Sequence, residues 1–236
     1  VSSACGSADI LQALGIPIDL SPAQAAEALR SHRFAFLLAP AMHPAMKAAL
    51  PVRRALGVRT VFNLLGPLAN PAGARAQVMG VYAARLVPVA AEAMVLLGVR
   101  HAFVVHGETS CPAAEAGGMD ELSISGPSRL AQVRAGAITL HRITPEEVGL
   151  RTASIDQLRG GDAADNAEIL RAVFSGEPGP RRDVVLLNAA AALVAADAVG
   201  EEDAELIPAL RAGIVAAADA IDSGSALRLL RALARR

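Results

Sequence analysis

Short strand-like runs alternate with helix-length segments along the first half of this chain, and that alternation limits its fold more than any single motif. RTVFN (59–63), QVMGVY (77–82) and HAFVVHG (101–107) are rich in β-branched and aliphatic residues. Between the second and third, Arg85–Leu97 has helical spacing and is closed by Gly98. Strands joined by helices of this length make right-handed βαβ units, hence a mainly parallel sheet flanked by helices. RLAQVRAGAITLHRI (129–143) breaks the pattern. Two alternating runs around Ala135-Gly136 predict an antiparallel hairpin at one edge. The expectation is a single α/β body over residues 1–236.

Helical spacing is also present at Ser7–Leu14 and Ser21–Leu29, where Ser21-Pro22 reads as an N-cap followed by Pro at the first helical position. FAFLLAP (34–40) reads as a strand or a buried turn, and HPAMKAALPVRRALG (43–57) as a helix bent at Pro51. From Pro145 onward the chain reads as helical, with caps at Thr144 and Asp162 and final helices near 203–221 and 224–235. The most apolar run, 184–200, is broken by Asn188 and Asp197 and reads as a buried helix.

A formal net charge of −1 supplies no broad field for nucleic acid or an anionic membrane, although a local anion site stays open. Cys5 and Cys111 lack any metal or redox spacing and read as reduced thiols of a cytoplasmic protein.

Chemistry-bearing residues fall in a few places. The turn from Ser2 to Ser7 sets hydroxyls and Gly6 ahead of a helix, which suits a phosphate, while Ser7 could equally cap that helix. Asp120 and Glu121, in GGMDELS, can turn together toward a hard cation such as Mg²⁺, or be a solvated surface pair. Arg53 and Arg54, beside His43 and Lys47, offer guanidinium forks to a carboxylate or phosphate, or simply a charged helix face. His43 reads as ligand-facing or as a cap. His106 closes a strand at the edge where parallel sheets hold ligands, and a buried histidine satisfied by backbone fits equally.

SSACGSADILQALG, HPAMKAALPVRRALGVRTVFNLLGPLANP, VVHG…GGMDELS and GGDAADNAEIL…GE…RDVVLLNAAAAL follow one another in this order. Together they resemble the anthranilate phosphoribosyltransferase family over essentially the whole chain. The RTVFNLLGPLANP stretch, combined with the Ser-Ala-Asp turn, separates that family from pyrimidine nucleoside phosphorylases of similar fold.

The resemblance implies a nucleoside phosphorylase/phosphoribosyltransferase-like α/β domain. It implies transfer of phosphoribosyl from phosphoribosyl diphosphate (PRPP) to anthranilate, with Mg²⁺ present and diphosphate released, in tryptophan biosynthesis. By motif, Ser3 and Ser7 match hydroxyls of the PRPP site, and Asp120 and Glu121 the metal-binding pair. Arg53 matches the arginine that meets the anthranilate carboxylate, and Gly66 lies on the anthranilate approach. The family also implies a cytoplasmic homodimer paired through a small helical domain, which is largely missing here; about 41–57 fit what is left of it. The family's glycine-rich phosphate loop is absent too, so the expectation for residues 1–236 alone is negligible activity. A nucleoside phosphorylase and a nucleic-acid-binding paralogue of the same fold are the rival readings. Near-neutral charge and the presence of Arg53 count against the second.

Overall fold

The computed structural model describes residues 5–43, 55, 60–109, 118–200 and 204–234. The chain divides into two compact units where the sequence suggests one body. The first comprises residues 1–66, 160–176 and 221–236, the second 67–159 and 177–220.

The first unit is helical. Helix α1 covers Ser7–Ala13 and α2 Pro22–His32. Ser21 Oγ accepts from the Gln24 N–H, and Pro22 opens α2, as the sequence predicts. The 34–38 run is not a strand; it leads into the four-residue helix α3, Ala39–Met42. The RTVFN expectation is corrected. Residues 60–63 start helix α4, Phe62–Leu68, because Asn63 Oδ1 accepts from the Thr60 N–H while the Asn63 N–H donates to Thr60 O. Strand propensity measures fit to a sheet, and a local turn outcompetes it here. Most of the expected 43–57 helix lies outside the described residues. Helices α6 (Ala163–Phe174) and α9 (Ser225–Leu233) complete the unit, with Asp162 capping α6 through the N–H groups of Ala164 and Asp165. Leu14, Ile16, Ala167, Leu230 and Leu233 form its core.

The second unit is built on a four-stranded sheet in sequence order: β1 Ala76–Gly80, β2 His101–Gly107, β3 Ser128–Arg134 and β4 Ala137–Ile143. Strands β1 and β2 run parallel through helix α5, Leu86–Leu96, whereas β2–β3 and β3–β4 are antiparallel. Among the described residues the α/β class and the edge hairpin hold. The "mainly parallel" expectation is corrected, because the hairpin supplies half the strands. The hairpin turns through Ala135 and Gly136, both at positive φ, and the Ala135 N–H donates to Arg100 O beside the start of the neighbouring strand β2.

All seven residues of β2 are buried, the pattern of a strand covered on both faces. Helix α5 packs on β2 and β3, and α7 (Pro180–Ala195) on β1 and β2. The run after Pro145 holds two 3₁₀ turns, 146–148 and 155–158, rather than an α-helix. Phe103, Val105, Leu122, Ile124 and Leu187 share one core with Ala190, Ala209 and Leu210, the last two from α8, Leu206–Asp222. The 184–200 run is mostly α7, as expected. No helix among the described residues is long and apolar enough to cross a membrane.

Helices α7 and α8 meet at Gly213, where an added Cβ would stand 2.8 Å from Ala190 Cα. That is well inside van der Waals contact. Gly213→Val should therefore cost about 1–3 kcal/mol through overpacking, read as a lower denaturant midpoint at unchanged slope. A variant as stable as the parent would show that the two helices separate freely.

Candidate active site

Parallel strands end on one edge, and in α/β sheets that edge receives ligands. Here β1 ends at Gly80 and β2 at Gly107. The segment carrying Asp120 and Glu121 lies directly across both. A Cβ on Gly80 would fall 1.6 Å from Asp120 O, and one on Gly107 would fall 2.6 Å from Glu121 O. Only glycine leaves room for a second backbone to pass at this distance.

The segment is fastened on either side of the acidic pair. Met119 and Gly107 exchange two backbone hydrogen bonds of 2.8 and 2.9 Å. On the far side, the Leu122 N–H donates to Asn188 Oδ1 and Asn188 Nδ2 donates to Leu122 O, both at 2.9 Å. Asn188 Nδ2 also donates to Val184 O, one turn earlier on α7. Leu122 is 1% exposed, so its polar backbone groups would be stranded without Asn188, a loss of about 1–3 kcal/mol per unsatisfied group. Ser128 Oγ then accepts from the Ser123 N–H. The sequence reading missed Asn188 and Gly80. RDVVLLNAAAAL offers a polar residue on a helix of Ala, Val and Leu, and an amide there needs partners.

Among the described residues neither Asp120 nor Glu121 has a salt-bridge or hydrogen-bond partner. Both are open to solvent. Even so, the protein packed around the Glu121 carboxyl, together with the Asp120 charge beside it, raises its pKa above the ordinary 4.5. Two other carboxylates of this unit have the opposite surroundings. Arg129 bonds Glu108 and lowers its pKa, and His101 with Arg100 lowers that of Asp197.

That Asp197 cluster lies at the other end of β2. There Arg100, His101, Gln132, Arg134 and Asp197 line a cavity of about 390 Å³. The carboxylate fastens the α7–α8 connection to the strand.

The remaining candidates divide between described and undescribed residues. Ser3, Arg53, Arg54, Lys47 and Cys111 lie outside the described ones. Ser7 is exposed and is the first residue of α1; Gly6, not Ser7, occupies the N-cap, so the capping alternative is corrected. Its hydroxyl has no hydrogen-bond partner among the described residues. Gly6, however, is not an open donor, because its N–H donates to Asp9 Oδ2 at 2.8 Å. Gly66 sits in α4 with nothing near a would-be Cβ, so packing among the described residues does not demand a glycine there. His43 is the C-cap of α3, its N–H donating to Ala39 O, and the helix expected to follow it lies outside the described residues. His106 is buried, with Nδ1–H donating to Val81 O at 2.8 Å, which makes it the backbone-satisfied histidine. Cys5 is a free thiol.

The second unit is thus a mixed α/β domain holding an uncompensated acidic pair at the ligand edge of its parallel strands. The profile of the glycosyl transferase family, a/b domain, matches residues 1–227, and the chain belongs to that family. It is 49% identical over 229 residues to an anthranilate phosphoribosyltransferase of Symbiobacterium thermophilum, covering 97% of this chain and 62% of that protein. The corresponding protein of Chloroflexus aggregans is 51% identical, with 98% and 64% covered. Among solved structures, the enzyme of Thermus thermophilus superposes with a TM-score of 0.84 at 42% identity, over 98% of this chain and 65% of that one. The Saccharomyces cerevisiae enzyme in complex with PRPP and Mg gives 0.80 at 28% identity, with 96% and 61% covered. The chain therefore spans less than two thirds of the length of these relatives.

The raised Glu121 pKa has a stability consequence. A carboxyl held above its unfolded value penalises the folded state once pH passes the ordinary 4.5, and carries no penalty below it. Glu121→Gln should accordingly raise the melting temperature of the metal-free protein at neutral pH. The gain should disappear on acidification below about pH 4, where both states are protonated. A gain that is the same at pH 4 and pH 7 would rule out this electrostatic origin.

Proposed function

We propose that the complete protein containing this chain is an anthranilate phosphoribosyltransferase of tryptophan biosynthesis, which moves phosphoribosyl from PRPP to the amine of anthranilate and releases diphosphate. The observation that carries the reading is the Asp120–Glu121 segment laid over Gly80 and Gly107 at the ligand edge, within the GGMDELS motif. The similarity to enzymes of that name over nearly the whole chain supports it.

Two adjacent carboxylates without a cation partner fit a hard divalent ion. Such an ion would take one or two carboxylates, its other positions being filled by water and ligand oxygens. When bound, Mg²⁺ would offset negative charge gathering on the departing diphosphate.

The chain's own residues divide the remaining work. Asp120 and Glu121 would hold the ion. The Ser7 hydroxyl, which makes no cap bond, donates to phosphoryl oxygens, and Ser3, matched by motif, does likewise. Arg53 pairs with the anthranilate carboxylate as a two-pronged donor, orienting the amine for attack at the ribose carbon. Gly66 leaves space for the aromatic ring. The attacking amine forms the C–N bond as the C–O bond to diphosphate breaks, and the amine then gives up its extra proton. The complete protein acts as a homodimer in the cytoplasm, taking up neither nucleic acid nor membrane.

With anthranilate and PRPP as substrates, Asp120→Asn/Glu121→Gln should shift the Mg²⁺ dependence of phosphoribosyl-anthranilate formation to higher concentration and lower turnover. An unaltered Mg²⁺ titration would remove the pair from the metal site. Arg53→Ala should lose about 2–4 kcal/mol of transition-state stabilisation, mainly as a defect toward anthranilate with PRPP affinity nearly intact. Equal losses toward both substrates would move Arg53 to the phosphate side. Thymidine and phosphate as the preferred substrates would favour the phosphorylase instead.

A further inference from the structure

We propose that Asn188 is a positioning residue for the acidic pair, its side-chain amide fixing the backbone from which Glu121 reaches a divalent cation. The inference rests on the reading of Asp120 and Glu121 as the metal pair. Three peptide planes run from Met119 to Leu122. The first, between Met119 and Asp120, is held at its carbonyl by the Gly107 N–H. The last, between Glu121 and Leu122, is held at its N–H by Asn188 Oδ1. Only the plane between Asp120 and Glu121 lacks a hydrogen bond among the described residues, and its carbonyl is the atom lying over Gly80.

Asn188 thus sets the torsion that aims Glu121, which the side chain of Leu122 cannot do. Leu122 is buried in the core and fixes where the chain lies, but not how the preceding peptide is rotated. The amide has one usable orientation. Flipping it would put NH₂ against the Leu122 N–H and oxygen against the carbonyls of Leu122 and Val184. Both Nδ2 hydrogens and the oxygen are already committed, so Asn188 holds the segment from one rigid helix without reaching the ion itself. Supporting groups of this kind commonly tune metal affinity by 10- to 100-fold.

The test uses the complete protein with Mn²⁺ and inorganic diphosphate, reading bound Mn²⁺ by electron paramagnetic resonance. Asn188→Asp keeps the shape and the acceptor but removes both donors. Asn188→Ala removes all three contacts. Each should weaken Mn²⁺ binding by about tenfold or more, with circular dichroism and the KM for anthranilate unchanged. Asp120→Asn/Glu121→Gln is the reference. If that pair of changes leaves Mn²⁺ binding intact, the metal reading itself fails. If it removes binding while the Asn188 variants keep parental affinity, the positioning role is overturned. In the unsubstituted protein, Mg²⁺ with diphosphate should slow hydrogen exchange at the Leu122 amide, since coupling between ion and clamp is reciprocal. Unchanged exchange there overturns the proposal even if both Asn188 variants fail to fold.

Discussion

The passage of residues 119–123 over the ends of β1 and β2 is the contact on which the rest of the site depends. Two backbones approach there within a distance that no side chain on Gly80 or Gly107 would permit. Backbone polar groups in such a place must be paired, and the pairing comes from three directions: Gly107 in the sheet, Asn188 on α7 and Ser128 at the start of β3. The parallel direction of β1 and β2 puts both glycines on one edge. Helix α7 packs against these same two strands, which brings Asn188 within reach. The fold thereby converts a loop into a shelf with little freedom.

Electrostatics separates this shelf from the sites of Glu108 and Asp197. Arg129 beside Glu108, and His101 with Arg100 beside Asp197, lower the pKa values of these carboxylates. Glu121 has only the packed protein and a second carboxylate, which raise its pKa. Glu108 and Asp197 are given their counter-ions by the chain, whereas Glu121 is left without one among the described residues. Sites assembled for a ligand commonly give up stability when the ligand is away. The two ends of β2 show both arrangements within one strand.

Much of this was legible beforehand. β2 has the boundaries its β-branched run suggests, the hairpin turns at Ala135-Gly136, and the caps at Ser21 and Asp162 stand where short polar side chains precede periodic apolar ones. The acidic pair was readable as a candidate from its glycine-flanked position. RTVFN was misread because composition could not reveal that Asn63 folds back on Thr60. The parallel share of the sheet was overestimated because local pattern reports that a strand exists, not which neighbour it pairs with.

The sequence by itself determined the family, β2, the edge hairpin and the caps at Ser21 and Asp162, since propensity, capping and motif act over a few neighbouring residues. The tertiary structure alone decided that Gly80, 40 positions before Asp120, would make room for it. It alone decided that Asn188, 66 positions after Leu122, would bind its backbone. Those relations depend on which strand end and which helix face meet in space. A linear pattern does not carry that information, because desolvation and hydrogen-bond pairing are settled only once the segments have packed.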